Sequence, residues 1–288
     1  MTQNAVLDLD AQSGPTVAVA FGGGGARGYA HIHVIEVLDE LGVRPVAISG
    51  ASIGSIMGVA MASGMSGKEI RDYALNLAGN RTDVLRRVIQ ARSGSLRTLF
   101  SSDSNLAQLD AVNILKTFMP PQMKTSFDEL LIPTSISTTD YYGAKERVFE
   151  DGDLFTAMAA SASIPFVFQP IKFENRYLVD GGIFNPVPYD HLHDKADIII
   201  GVDIIGTPAG DPAKRPRAID SAYGASQLMM QSILSHKLAM SPPDIFLRPN
   251  VSKYRVQDFF KVKQILADSE GVRDELKRAL DKAIQKVS

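Results

Sequence analysis

The segment Gly50–Gly54, which reads Gly-Ala-Ser-Ile-Gly, constrains this chain more than any other. An apolar, strand-like run precedes it, and a helix-like run follows it from Ile56 to Ala62. Gly-x-Ser-x-Gly between a strand and a helix is the pattern of a nucleophile elbow, a turn so tight that only small residues fit around the serine. Gly50 and Gly54 meet that requirement. The pattern therefore predicts that the Ser52 hydroxyl projects beyond the strand end as a nucleophile.

A serine nucleophile also needs donors for the oxyanion that forms when a carbonyl is attacked. The candidate donors lie in the glycine-rich segment Gly22–Gly28, which leaves one predicted strand and opens a helix. The N–H groups of Gly23, Gly24 and Gly25 can converge on one anion, and a helix N-terminus adds positive potential. Arg27 either adds a fixed positive charge or braces the loop. We therefore expect these four residues to form an oxyanion hole.

The same glycines also match the Gly-x-Gly-x-x-Gly pattern of dinucleotide-binding sites. In such sites an acidic residue at the end of a second strand binds the ribose. Asp39 and Glu40 are the nearest acidic residues downstream, and both fall inside the predicted helix. Nucleotide binding is therefore the weaker interpretation of this loop.

The base that activates Ser52 is either a carboxylate or a histidine. Asp180 ends an apolar run and is followed by two glycines, a pattern that a simple hairpin turn would also explain. Three downstream histidines keep the Ser–Asp–His order of α/β-hydrolases. These histidines are His191, His193 and His236. In the α/β-hydrolase fold, however, the nucleophile follows several strands, whereas Ser52 follows only the second predicted strand.

Strand-like and helix-like segments alternate along the chain, which favours an α/β fold with a mainly parallel sheet covered on both faces. The first strand is predicted at Thr16–Phe21, and Ala196–Ile205 is apolar enough to be a buried central strand. No repeat or linker is visible. We expect an N-terminal tail over residues 1–15 and a single domain over residues 16–288.

Composition excludes several classes of partner and chemistry. The 288 residues carry a net charge of −2, so no nucleic acid partner is expected. The chain has no cysteine, which rules out thiol chemistry and disulfides. His31 and His33 are two residues apart and would diverge on a helix, so they would not share a metal ion. We expect no metal site and no cofactor.

The segment Val46–Met65 has no charged residue and is long enough to span a bilayer. Four glycines and four serines interrupt it, and the elbow lies near its centre. A buried strand, turn and helix therefore explain it better than a membrane span. Residues 1–15 lack the pattern of a secretory signal, so a cytoplasmic location is expected.

Positive charge is concentrated in one region, where only Asp83 opposes five arginines. Either these arginines meet phosphate headgroups, as a peripheral contact on the inner membrane surface, or they form a solvated helix face. They are Arg81, Arg86, Arg87, Arg92 and Arg97.

Taken together, the glycine-rich loop at 22–28, the elbow at 50–54 and Asp-Gly-Gly at 180–182 resemble the patatin-like phospholipases. The segments Ala160–Pro165 and Asn185–Pro188 also resemble parts of that family. Three short motifs in the right order are more specific than any one of them. Ala51 departs mildly from the family pattern, in which threonine is frequent before the serine.

The resemblance implies a three-layer α/β/α fold and a Ser–Asp dyad that works without histidine. Carried over by position, Ser52 is the nucleophile and Asp180 the base, with Gly23, Gly24 and Gly25 as oxyanion donors and Arg27 beside them. The implied activity is hydrolysis of lipid acyl esters, as a phospholipase A or a lysophospholipase-like esterase, without metal or organic cofactor. The alternative is a nucleotide-binding or regulatory protein of the same fold that has lost activity. The substrate stays open among phospholipids, lysophospholipids, thioesters and small esters. The oligomeric state stays open as well.

Overall fold

The computed structural model describes residues 14–287, apart from 83, 85, 89–109, 166, 209 and 212. Its strands join in one eight-stranded sheet. They are β1 (Val17–Phe21), β2 (Ala47–Ala51), β3 (Thr134–Asp140), β4 (Lys145–Phe149), β5 (Ile171–Phe173), β6 (Arg176–Asp180), β7 (Ile198–Val202) and β8 (Ile245–Leu247). The helices that surround the sheet are α1 (His31–Glu40), α2 (Ile53–Ala62), α3 (Gly67–Gly79), α4 (Ala111–Phe118), α5 (Leu154–Ser161), α6 (Ala218–Met240), α7 (Val262–Ser269) and α8 (Val272–Val287).

The sheet is parallel through its centre and antiparallel at one side. Strands β3, β2, β1, β7 and β8 lie side by side in that order and pair in parallel. The remaining pairs, β3 with β4, β3 with β6 and β5 with β6, are antiparallel. The prediction of a mainly parallel central sheet is therefore confirmed.

Alternate residues of β1 bury opposite faces of the sheet, as the two-residue period of a strand requires. Val17, Val19 and Phe21 belong to a large apolar core that includes residues of α1, α2, α5 and α8. Ala18 and Ala20 face a smaller core, which α6 covers through Leu234. The sheet thus lies between two helical layers, and the predicted three-layer α/β/α arrangement is confirmed.

Two strands share one edge of β3, and this arrangement positions the candidate site. β2 pairs with residues 134–137 of β3, and β6 pairs with residues 138–140. β4 pairs with residues 136–140, so it occupies the opposite edge. The C-terminal ends of β2 and β6 therefore meet head to head along one edge of β3, with Asp180 directly opposite Thr138.

Local patterns explain several of the element boundaries. Ser66 and Glu69 form a reciprocal capping box at the start of α3. Gly42 ends α1 with a φ of +66°, the left-handed conformation expected after a helix. The helix that the glycine-rich segment was expected to open begins with a 3₁₀ segment, Gly25–Ala30, before α1 starts at His31.

Much of the arginine-rich region lies outside the described residues, including Arg92 and Arg97. Residues 1–13 of the expected tail lie outside them as well, and the single domain over residues 16–288 stays a prediction. None of the helices within the described ranges combines the length and apolar character that crossing a bilayer would need. Val46–Met65 contains β2, the elbow and α2 instead.

Candidate active site

Ser52 sits in a strained turn between β2 and α2. Its φ is +53° and its ψ is −128°, a backbone conformation that residues other than glycine rarely adopt. A Cβ atom at Gly54 would lie 2.0 Å from the carbonyl oxygen of Phe21, and one at Gly50 would lie 2.5 Å from the Cα of Ser55. A side chain at either glycine would therefore clash with backbone atoms, and Ser52 lies in a tight turn between β2 and α2.

The Ser52 hydroxyl donates a hydrogen bond of 2.6 Å to Oδ2 of Asp180. The second carboxylate oxygen, Oδ1, accepts the N–H of Gly182 at 2.8 Å. Both side chains are buried. Burial raises the pKa of Asp180 to about 6, while the bonds from Ser52 and Gly182 act in the opposite direction. The structure thus places a serine against a carboxylate that is ionised at neutral pH and more basic than an ordinary aspartate.

Neighbouring segments hold the backbone of both residues. The Ser52 N–H donates to Oγ of Ser161 at 2.7 Å, and the Ser161 hydroxyl donates in turn to the carbonyl of Ser137. The Asp180 N–H donates to the carbonyl of Ser163 at 3.1 Å. The sequence interpretation singled out the segment 160–165 only for its resemblance to a family and gave Ser161 no role, because nothing in the sequence shows which amide its hydroxyl meets.

The glycine-rich loop passes directly beside the elbow. A Cβ atom at Gly23 would lie 3.2 Å from the Cβ of Ser52. The Gly23 N–H, however, donates to the carbonyl of Pro186 at 3.0 Å, so this predicted donor is engaged elsewhere. The amides of Gly24 and Gly25 have no hydrogen-bond acceptor among the described residues. Gly24 and Gly25 are therefore the members of the predicted set whose N–H groups are not already bonded to another described residue.

Arg27 braces this loop through a hydrogen bond to its backbone. Its Nε donates to the carbonyl of Gly24 at 3.0 Å, and its side chain is almost fully buried. Burial lowers the pKa of Arg27 to about 10, which leaves it protonated at neutral pH, and the Asp203 carboxylate favours the charged form. Of the two interpretations of Arg27, bracing is the one for which the structure provides a contact.

His31 supports the same loop. Its Nε2 lies 2.9 Å from the carbonyl of Gly22, so this nitrogen carries the proton. Burial lowers the pKa of His31 to about 4, which keeps the ring neutral. His33 bonds to the carbonyl of Leu266, away from His31, as the helical spacing predicts.

Among the described residues, no hydrogen bond joins Ser52 or Asp180 to any of the three candidate histidines. His191 lies 2.9 Å from Oε1 of Glu146. Although burial lowers the pKa of His191, this contact outweighs it and raises the pKa overall. His236 bonds to its own helix at Ser232, and His193 lies against the ring of Tyr189. The carboxylate interpretation of the base is thus the one that the geometry supports.

Glu146, Asp190 and His191 form a cluster whose ligand atoms all lie within 4.8 Å of one another, which the sequence interpretation missed. Lys237 places its Nζ 2.5 Å from Asp190. A protonated His191 would likewise pair with Glu146. Protein cations can therefore neutralise both carboxylates of this cluster, which forms an internal ion network.

The acidic residues required by the nucleotide interpretation are also engaged. Asp39 accepts the N–H of Gly67 at 2.6 Å, and Glu40 pairs with Arg273 and Lys277. Both lie at the end of α1, ten residues or so beyond the glycine-rich loop. A ribose contact from either of them finds no support in this arrangement.

Comparisons with known proteins point to one family. The family model for patatin-like phospholipase matches residues 19–193. An uncharacterized NTE family protein of Mycobacterium tuberculosis is 36% identical over 215 residues, which cover 74% of this chain and 56% of the relative. Human patatin-like phospholipase domain-containing protein 6 is 30% identical over 195 residues, covering 67% of this chain and 14% of that protein. The chain thus spans about half the length, or less, of these relatives.

Among solved structures, VipD from Legionella pneumophila has a similar fold. The TM-score is 0.50 at 13% sequence identity, and the match covers 95% of this chain and 68% of that chain. At this identity the likeness concerns the fold alone.

Proposed function

The chain belongs to the patatin-like phospholipase family, and we propose that it hydrolyses acyl esters of lipids with Ser52 as nucleophile and Asp180 as general base. One observation carries the proposal. The Ser52 hydroxyl, held in a strained elbow, donates a 2.6 Å hydrogen bond to a buried carboxylate. Family membership supports lipid as the substrate class.

In the first half of the proposed reaction, Asp180 Oδ2 takes the hydroxyl proton while Ser52 Oγ attacks the acyl carbonyl. A raised pKa makes Asp180 a stronger base than an ordinary aspartate, while it stays ionised at neutral pH. The tetrahedral oxyanion accepts hydrogen bonds from the amides of Gly24 and Gly25. When it collapses, Asp180 returns the proton to the leaving alcohol and an acyl-enzyme remains.

In the second half, a water molecule attacks the acyl-enzyme and Asp180 takes its proton. The second tetrahedral intermediate collapses, the proton returns to Ser52 Oγ and the fatty acid leaves. No step requires a metal ion or an organic cofactor, because the base and the oxyanion donors are protein groups.

Labelling with a fluorophosphonate tests the nucleophile directly. We expect one covalent adduct, which peptide mapping places on Ser52 and which is lost in Ser52→Ala. Ser163→Ala is the matched control, since it removes a buried hydroxyl whose one hydrogen bond to the residues that the structure describes goes to the carbonyl of Ala159. An adduct on another serine, or none at saturating reagent with folded protein, would show that the nucleophile is wrongly assigned.

Paired variants test the base. Asp180→Asn should lower turnover of a soluble ester about 10³-fold, close to the loss in Ser52→Ala, because residues that act as a unit are not additive. Replacing His191, His193 and His236 together by glutamine should leave most turnover in place. If that triple variant loses activity while its circular dichroism is unchanged, a histidine is the base instead.

A further inference from the structure

Two hairpins extend the sheet beyond the end of β2, on the side toward which the elbow projects. Ser52 is level with Thr138 of β3, because Ala51 pairs with Ser137. β3 continues past this level to Asp140, and β6 runs beside it from Arg176 down to Asp180. With about 3.3 Å of rise per residue, the outer end of this extension lies about 10 Å beyond the dyad.

Three tyrosines cluster at that outer end. Tyr141, Tyr142 and Tyr177 expose 60%, 80% and 44% of their surface. The ring centroids of Tyr141 and Tyr142 are 5.0 Å apart, and those of Tyr142 and Tyr177 are 6.4 Å apart. Tyrosine combines an apolar ring with a polar hydroxyl, which suits it to the boundary between water and lipid. We call these three residues the tyrosine tip.

Two exposed lysines flank the tyrosine tip. Lys145 pairs in register with Asp140, and Lys172 pairs with Tyr177, so both lie at the bases of the exposed turns. Both side chains are exposed, and neither forms a hydrogen bond or ion pair with another residue in the described part of the chain.

The neighbouring acidic groups are neutralised. Asp140 bonds to Arg176 at 2.5 Å, and Glu174 lies 3.6 Å from Arg147. The uncompensated charge at this end of the extension is therefore positive, which complements an anionic surface.

We propose that the tyrosine tip, with Lys145 and Lys172, is the surface by which this protein docks on an anionic lipid bilayer. Exposed aromatic rings and exposed lysines at one site match the two components of such a surface, the headgroup boundary and its negative charge. Docking here would turn the C-terminal end of β2, which Ser52 follows, toward the bilayer that contains the lipid substrate. In that respect the inference rests on the proposed function.

Tryptophan fluorescence tests the docking surface, because the chain contains no tryptophan of its own. Tyr142→Trp places a single reporter in the tip. Leu41→Trp is the matched control, since Leu41 is 46% exposed at the end of α1, six residues before β2 begins, and therefore lies at the end of the sheet away from the elbow. Both are made in the Ser52→Ala background, so that binding is measured without hydrolysis.

With vesicles of phosphatidylcholine containing phosphatidylglycerol, the Trp emission of Tyr142→Trp should shift to the blue, and brominated lipid should quench it. The Trp of Leu41→Trp should show neither effect. Adding Lys145→Gln and Lys172→Gln should weaken binding about tenfold or more, since each lysine near an anionic surface contributes about a factor of five. Raising the salt concentration should weaken it as well.

Quenching of both reporters alike, or of neither, would overturn this proposal. So would unchanged binding after loss of the two lysines. A blue shift that follows protein concentration without vesicles would also overturn it, because it would indicate a second copy of the chain as the occupant. Loss of binding only when Arg81, Arg86 and Arg87 are neutralised would assign the contact to the arginine-rich region instead. Labelling and hydrolysis are measured on the protein that keeps Ser52. Absence of vesicle binding, with intact fluorophosphonate labelling of that protein, refutes docking alone, whereas vesicle binding without labelling or hydrolysis by that protein refutes the proposed function.

Discussion

Replacing Asp180 by asparagine should stabilise the fold at neutral pH while it removes catalysis. The carboxylate is buried, and its pKa rises from an ordinary 3.8 to about 6 because burial penalises the charged form. Asparagine has almost the same shape and no charge. Its Oδ1 can still accept the Gly182 N–H, and its amide can donate to Ser52 Oγ. The variant therefore keeps the contacts and removes the buried charge.

The size of the effect follows from the pKa difference between the folded and unfolded chains. A raised folded-state pKa means that the native protein binds the proton more tightly, so the ionised form destabilises the native state above pH 6. A shift of about two units corresponds to about 3 kcal/mol. This cost shrinks as the pH falls from 6 toward 4 and disappears below the unfolded pKa. We expect the free energy of unfolding of Asp180→Asn to exceed that of wild type by about 3 kcal/mol near pH 8 and by about 1.5 kcal/mol near pH 5.

Urea unfolding of both proteins at the two pH values measures this difference. The comparison between pH values cancels any constant change in hydrogen bonding, since that change does not depend on pH. Ser52→Ala is the matched control, because it removes activity and leaves the carboxylate charge in place, so it should show no such pH-dependent gain. If Asp180→Asn gains the same stability at both pH values, or loses stability at both, the buried Asp180 charge does not destabilise the native state and the reasoning fails.

Four further predictions follow from the same site. Because the base must be deprotonated, kcat/KM on a soluble ester should fall below about pH 6, to about a tenth of its plateau near pH 5, and a profile that stays flat to lower pH would exclude Asp180 as the titrating group. Gly54→Ala should lower the free energy of unfolding in urea by about 3 kcal/mol or more, since its Cβ would lie 2.0 Å from a backbone oxygen of β1. Gly79→Ala is the control and should change it little, because a Cβ there meets nothing within 4 Å. Ser161→Ala should lower the free energy of unfolding by about 1–3 kcal/mol and slow fluorophosphonate labelling, because the buried Ser52 N–H loses its acceptor; unchanged values for both would show that this bond is unimportant. Chelation with EDTA should leave the hydrolysis rate unchanged, and a loss of rate that added calcium or zinc reverses would contradict the proposed mechanism.

The sequence alone determined the parts of this protein whose constraints are local. The elbow could be predicted because its geometry demands small residues within two positions of Ser52, and the structure shows backbone atoms where side chains at Gly50 and Gly54 would lie. The capping box at Ser66 and the left-handed Gly42 likewise depend only on residues close in the chain. Alternating periodicity also indicated the layered α/β fold.

The tertiary structure decided everything that depends on residues far apart in the chain. Ser52 and Asp180 are 128 positions apart, and no periodicity connects them. They meet because β2 and β6 compete for one edge of β3: each stretch of that edge has one set of backbone donors and acceptors, so β6 can pair only where β2 ends.

Contacts between residues far apart in the chain also explain why the sequence left too many candidates for the oxyanion donors and for the base. Gly23 looked equivalent to Gly24 and Gly25 as an oxyanion donor, yet the carbonyl of Pro186, a segment distant in the chain, already accepts its N–H. His191 was left open as a base until its contact with Glu146 appeared. Whether a donor is free or a base is within reach depends on which distant groups fold against it, and that is set by the packing of the whole sheet and its two helical layers.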